Sequence, residues 1–255
     1  MSVDTLEDKI MHRIMRLVAH TLARGRLKVQ LSGLHHVPTR GPGILVARHY
    51  HHLFDGVALH WAIPRRIHLL VTLDWATTPV MRKFMELLLH GARWPAVLRT
   101  DAQARHADKS DKKNKNVFTD SDYGRYQRQA VHDSVALLLE QRLLVIFPEG
   151  YPNIDPHYTP KTGDEMLPFK PGFAAVAAVA EKKLGTKIPL IPVGIRYTVG
   201  IKWTAHVRFG KPLSVGEFVS RKAVVKKLEQ DVAALSTAEG PGQNPRSHGN
   251  AKFEN

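Results

Sequence analysis

What most limits the fold of this chain is a set of short, wholly apolar runs, each of which stops at a turn signal or a polar motif. "ILVA" (44–47) follows the turn "RGPG" (40–43) and ends at Arg48-His49, and "LLVIF" (143–147) ends at "PEG". Such runs are too short for helices and do not alternate with polar residues, which marks strands buried on both faces. "RIHLLVTL" (66–73), "AVLRTD" (96–101), "IPLIPVGIRYT" (188–198) and "HVRFGKPL" (206–213) are further strand candidates, and Val29 and Leu31 alternate in a strand after residue 27. Helical spacing fills the gaps: 53–63, 78–91 with Gly91 as a C-terminal cap, 125–142 with Val131, Val135, Leu138 and Leu139 facing the core, 171–185, and 214–236. The alternation predicts an α/β domain with a mixed, mainly parallel sheet flanked by helices.

Residues 5–26 read as an amphipathic N-terminal helix. Leu6, Ile10, Ile14, Leu17 and Thr21 step along one face, and Lys9, Arg13, Arg16, His20 and Arg24 along another. An apolar stripe beside a basic one suits a lipid headgroup layer, although a helix covering the domain's own core has the same pattern. The expected organisation is a membrane-facing helix (1–26), one domain (27–236) with a flexible basic loop at 102–124, and a disordered tail (237–255). No run of 18 apolar residues occurs and the N-terminus has no apolar signal core, so the expectation is a soluble or membrane-peripheral protein.

Composition narrows the chemistry. The chain has 255 residues, 43% of them hydrophobic, enough for a sizeable core. There is no cysteine, which removes disulfides and thiol catalysis. A net charge of +14 favours anionic partners such as nucleic acid, anionic lipid, a phosphorylated substrate or an acidic carrier protein.

Two strand ends carry the candidate chemistry. "ARHYHHLFDG" (47–56) places His49, His51 and His52 near Asp55 on a strand-to-helix turn, where α/β folds put ligands. The residues alone allow a general base held by Asp55, a metal site, or polar turn residues. The spacing is no recognised helical metal pair. "VIFPEGYPN" (145–153) ends another buried strand with Phe147, Pro148, Glu149 and Gly150, and Gly150 permits a tight turn.

These motifs, in this order, resemble those of the glycerolipid-type acyltransferases of phospholipid synthesis, which include the lysophosphatidic acid acyltransferases. "GPGILVARH" (41–49) with "LFDG" (53–56) is similar to the strand and H-x4-D motif of that family, "GARWPAVLR" (91–99) to its second block, and "FPEG" (147–150) matches its third. "FKPGFA" (169–174) and "IPLIPVGI" (188–195) are similar to the family's later segments, the second of them a proline-containing strand, so the resemblance spans about residues 27–213. Two departures stand out. His49 lies six positions before Asp55 where the family has five, which makes His49 the expected base and His51 the reserve. Tyr151, Pro152 and Asn153 occupy the place of the family's threonine-arginine-serine, so the arginine that helps to hold an acceptor phosphate is missing.

The resemblance implies an O-acyltransferase. His49, oriented by Asp55, would take the proton of a lipid acceptor's hydroxyl, and the oxygen would attack the thioester of acyl-CoA or an acidic acyl carrier protein. Glu149 would orient the acceptor, backbone N–H groups around Gly150 would stabilise the oxyanion, and Arg99 and Lys170, or Arg93, would serve the phosphate. The acceptor expected is 1-acylglycerol-3-phosphate or a related lysophospholipid. The co-substrates apart, no cofactor and no metal are implied. The implied location is the cytoplasmic side of a membrane, held peripherally by its lipid surface. The rivals are a non-phosphate acceptor (sugar, carotenoid or amino lipid), a metal-dependent hydrolase using the histidines, and a lipid-binding protein without turnover. Nucleic acid is not expected as a partner, because the basic loop offers only Phe118, Tyr123 and Tyr126 for stacking.

Overall fold

The computed structural model describes residues 6–101, 117–156 and 158–237. Its element order is α1 (Leu6–Arg26), β1 (Leu27–Ser32), β2 (Gly43–Ala47), α2 (Phe54–Ala62), β3 (Ile67–Leu69), β4 (Val71–Thr72), α3 (Pro79–Ala92), β5 (Ala96–Val97), α4 (Asp120–Leu139), β6 (Leu143–Ile146), α5 (Gly172–Leu184), β7 (Leu190–Thr198), β8 (Trp203–Phe209) and α6 (Arg221–Thr237). Six strands form one sheet in the order β1-β8-β7-β2-β6-β3, parallel at every pairing except the antiparallel β7–β8. The mixed, mainly parallel α/β architecture is the one expected.

The apolar runs are buried because they occupy the sheet centre. β2 lies between β7 and β6, and all five of its residues are buried. Its side chains alternate between two cores: Leu45 and Ala47 join the cluster under α1 and α2, while Ile44 and Val46 join the one under α4, α5 and α6. β6 divides in the same way, with Leu143 and Val145 on one side and Leu144 and Ile146 on the other. This is why neither run shows polar alternation. The alanines of α5 (Ala174, Ala177 and Ala180) are buried, and they let that helix sit close to the sheet.

Several boundaries differ from the sequence reading. Residues 66–73 split into β3 and β4, and β4 leaves the main sheet to pair with β5 alone. Gly91 does not cap α3. The helix ends one residue later, and Arg93 takes the left-handed conformation at φ 54°. α4 starts at Asp120 behind a capping box of Thr119 and Asp122, so residues 120–124 of the expected loop are helical. Val131 faces out at 44% exposure, whereas Val135 and Leu138 are buried. β8 begins at Trp203, and residues 215–217 form a 3-10 turn ahead of α6. α6 runs through Thr237. Residues 102–116 of the loop and 238–255 of the tail lie outside the described residues.

α6 lies tight against β7 at Gly194, where a Cβ would stand 2.4 Å from the Leu235 carbonyl carbon. A methyl group there must push a backbone, not a flexible side-chain end. Gly194→Ala is expected to lower the unfolding free energy by about 1–3 kcal/mol. Gly172→Ala, with no atom near its Cβ, is expected to change it by no more than about 0.5 kcal/mol. Urea denaturation of both variants checks the contrast.

Candidate active site

The site grows from the place where β2 leaves the sheet. Arg48 makes the last ladder bond, its N–H to the Val193 carbonyl at 3.0 Å. The next N–H groups have no strand to pair with, and buried donors must find acceptors. His49 N–H donates to Glu149 Oε1 at 2.7 Å. Tyr50 and His51 N–H both donate to Asp55 Oδ2, at 2.7 and 2.9 Å. His52 N–H returns to backbone at the Ile154 carbonyl, 3.2 Å away. Two carboxylates thus hold the turn.

Glu149 reaches His49 because of strand register. β2 and β6 are parallel neighbours with Val46 opposite Ile146, and three residues further on each strand leads to His49 and Glu149. Asp55 arrives from the other direction, in the first turn of α2, where a carboxylate also suits the positive end of a helix.

Asp55 is fully buried and collects side chains as well. The His49 Nδ1 lies 2.8 Å from Oδ2, and the Tyr197 hydroxyl at the end of β7 donates to Oδ1 at 2.8 Å. Burial, reinforced by Asp55, pushes the Tyr197 phenol well above its ordinary pKa, which keeps it a donor. The His49 ring stacks on Phe147 with centroids 4.3 Å apart and keeps 16% of its side chain exposed. One edge of the imidazole is therefore fixed while some of the ring stays open to solvent.

His51 is used differently. Its Nδ1 accepts the N–H groups of Leu53 and Phe54, at 3.2 and 3.3 Å, and so caps the start of α2. Its ring stacks on Phe54 and His52. Burial, the largest influence, lowers its pKa to about 4. It is the His49 ring that meets Asp55; His51 contributes only its N–H.

Glu149 also departs from expectation. It is 1% exposed, and its second oxygen accepts the Leu167 N–H at 2.9 Å and pairs with the Lys161 ammonium. Both oxygens are engaged by the protein, one on the His49 N–H and the other on Leu167 and Lys161, so the carboxylate supports His49. Lys161, which no motif in the sequence marked, also donates to the His49 carbonyl at 2.9 Å and to Asn153 Oδ1 at 3.2 Å. Burial holds its pKa below the ordinary lysine value, against the pull of Glu149. Together the pair grips His49 at both its N–H and its C=O.

The remaining expected residues, Arg93 apart, line a neighbouring wall. Pro148 accepts the Lys170 N–H through its carbonyl at 3.0 Å. Gly150 takes φ 76°, where glycine is at ease, but its N–H donates to the Phe147 carbonyl and is therefore spent for an oxyanion. Arg99 is largely committed: Nε to Asp74 at 2.7 Å, a second nitrogen to the Gly150 carbonyl at 2.8 Å, and its face on the Tyr151 ring at 3.9 Å. Lys170 is half exposed and pairs with Asp101 at 3.1 Å. Arg93 lies away from these groups in a two-fold pair with Glu140, each contact 2.7 Å. Tyr151 is buried and bonded to Asp101, and the Asn153 amide bonds the Gly163 and Glu165 carbonyls, so these two residues belong to the scaffold. Among the described residues no three His, Asp or Glu side chains are grouped to hold a metal ion.

The comparisons agree with this frame. A family model described as Acyltransferase matches residues 28–196. The crystal structure of the 1-acyl-sn-glycerophosphate (LPA) acyltransferase PlsC from Thermotoga maritima is similar in fold, with a TM-score of 0.52 and 15% identity over 88% of this chain and 76% of that one. No curated protein matches the sequence.

Removing one member of a buried ion pair strands the other. Lys161→Met is expected to cost about 3–5 kcal/mol of stability, and adding Glu149→Gln to recover part of it, as equilibrium denaturation of both proteins would read. Acid is expected to weaken the fold through its buried histidines. Burial lowers His51 and His60 to about 4 and His68 to about 3, from an ordinary 6.5. Between those values the unfolded chain binds more protons than the folded one, so their contribution is complete above the ordinary value and is lost as pH falls below it. Urea midpoints should drop from pH 7.5 to pH 5; midpoints that do not change would contradict the assignment.

Proposed function

The chain belongs to the acyltransferase family, and from that premise we propose that it transfers a fatty acyl group from a thioester donor to the hydroxyl of a lipid acceptor, with His49 as general base. The observation that carries the reading is the His49–Asp55 contact at 2.8 Å beneath a ring that is partly open to solvent. With Nδ1 donating to the carboxylate, Nε2 keeps a lone pair, and Asp55 steadies the imidazolium that forms when Nε2 takes a proton. The acceptor hydroxyl gives its proton to Nε2, and its oxygen bonds to the thioester carbonyl carbon. The tetrahedral intermediate collapses with cleavage of the C–S bond, and the departing thiolate takes the proton back from His49. Tyr197 holds Asp55, and Glu149 with Lys161 holds the His49 backbone, so the base needs little reorganisation on reaching the transition state.

For the acceptor we propose a lysophospholipid of the 1-acylglycerol-3-phosphate type. The structurally similar PlsC protein is named for that acceptor, and the half-exposed Lys170 supplies a cation beside the FPEG turn. A second reading, an acceptor without phosphate, is favoured by Pro152 in place of an arginine and by the commitment of Arg99 to Asp74 and Gly150. The donor is acyl-CoA or acyl carrier protein, to which the net charge of +14 is suited. No helix among the described residues is long and apolar enough to cross a membrane. We place the protein peripherally on the cytoplasmic side of a bilayer, with α1 against the lipid.

An acyl-transfer assay over phosphate-bearing and phosphate-free acceptors tests both readings. His49→Ala is expected to lower kcat by about 10²–10⁴-fold in a protein that still folds, its unfolding midpoint lowered by the loss of one of the two side-chain partners of Asp55. Full activity in His49→Ala would remove the mechanism, and a higher kcat/KM for the phosphate-free acceptors would select the second reading.

A further inference from the structure

Helix α3 buries little of what it carries. Leu89 and Ala92 are buried, but Val80, Phe84 and Leu87 are 79%, 58% and 69% exposed, and Leu88 beside them is 43% exposed. Spacings of three and four place these side chains on one face. Single exposed apolar residues are ordinary, whereas a contiguous stripe marks a contact surface.

α1 has a matching stripe. It packs on its neighbours through half-buried Met11 and Met15 and buried Ala19 and Ala23, while Leu6 and Leu17 are 73% and 68% exposed and Ile10 and Ile14 nearly half exposed. The two helices meet where Met11 Cε lies 3.2 Å from the Cβ position of Gly91. Ile10 and Ile14 share the turns around Met11, and Leu87 and Leu88 lie one turn before Gly91. The stripes therefore run into each other at the contact.

The exposed charges described around them have one sign, the side chains of Glu7 and Asp8 at the start of α1 lying outside the described residues. Among the described side chains, the exposed charged residues of α1 and α3 are all basic: Lys9, Arg13, Arg24, Arg26 and Lys83. Glu86, the acid of α3, is turned to Arg82 and Tyr126. Apolar side chains accompanied by basic ones suit the boundary between anionic headgroups and acyl chains.

We propose that α3 and α1 together form a single face that inserts into the headgroup layer of an anionic bilayer, so that α1 is half of the membrane contact and not the whole of it. From the end of α3 the chain runs through β5 to Arg99, which holds the Gly150 carbonyl. A lipid-embedded α3 thereby ties the wall beside His49 to the lipid surface. The proposal rests on the acyltransferase reading only for its purpose, since binding is read without turnover.

The test is co-sedimentation of the full chain with phosphatidylcholine vesicles, with and without phosphatidylglycerol. Acyl transfer is followed in parallel on detergent-dispersed substrates. The wild type should bind the anionic vesicles more tightly. Phe84→Glu/Leu87→Glu should weaken that binding by about tenfold or more and keep its activity in detergent. Ile10→Glu/Ile14→Glu should do the same. An α3 variant that binds vesicles like the wild type overturns the proposal. So does a wild-type dimer, seen by sedimentation equilibrium, that the α3 substitutions split, because the face would then belong to a second copy. Vesicle binding that behaves as expected in a protein with no acyl transfer in detergent would leave this face standing and remove the catalytic reading instead.

Discussion

A parallel strand that ends in the middle of a sheet leaves its next N–H groups without partners, and this chain answers with carboxylates. The N–H groups of His49, Tyr50 and His51 end on Glu149 or Asp55. An acid at each place is worth more than a carbonyl, because a charge-assisted bond is shorter and stronger and a buried carboxylate accepts several donors at once. Each carboxylate in turn needs compensation. Asp55 receives it from the His49 ring and Tyr197, and Glu149 from Lys161 and the Leu167 N–H. The turn, the base and the ion pair are one network, within which the His49 ring stays partly open to solvent.

This arrangement explains the extra residue between the histidine and the aspartate. Residues 50–52 do not simply bulge. Tyr50 and His52 bond the backbone of Ile154 on either side of a bridge between His51 and that residue, so the longer turn is stitched to the loop after FPEG. Asn153, in place of a serine, takes part in the same loop through its amide and through Lys161. The two departures from the family pattern are adjacent in space, and they are solved together.

How much of this could be read from the sequence has a physical cause. β2 and β6 were legible because burial on both faces produces a short apolar run rich in branched residues and bounded by turn signals, and their polar ends marked the site. The convergence of His49, Asp55 and Glu149 came from placing those ends on one rim. The inward turn of Glu149 was not legible, since an acid that faces a ligand and one that pairs with a buried lysine look the same in sequence. Lys161 sits in an aperiodic stretch between Tyr151 and Pro171, and its partners come from Glu149, Asn153 and His49. Tyr197 was hidden by its strand, where an aromatic at the end of β7 reads as core. The one signal it gave was its parity with Val193 and Ile195, which puts it on the same core face. The α3 stripe carries no mark in the sequence that separates it from a buried face, and only the tertiary structure shows it exposed.

The central claim is that Asp55 fixes the tautomer of His49 so that Nε2 is the free base. Nitrogen-15 NMR of the histidine rings at neutral pH measures this directly, with the His49 signals identified by their loss in a His49→Gln protein. The account predicts a proton on Nδ1, shifted downfield by its bond to the carboxylate, and an unprotonated Nε2, a pattern that collapses in Asp55→Asn. A His49 ring that carries its proton on Nε2, or that averages between tautomers in the wild type, would contradict it.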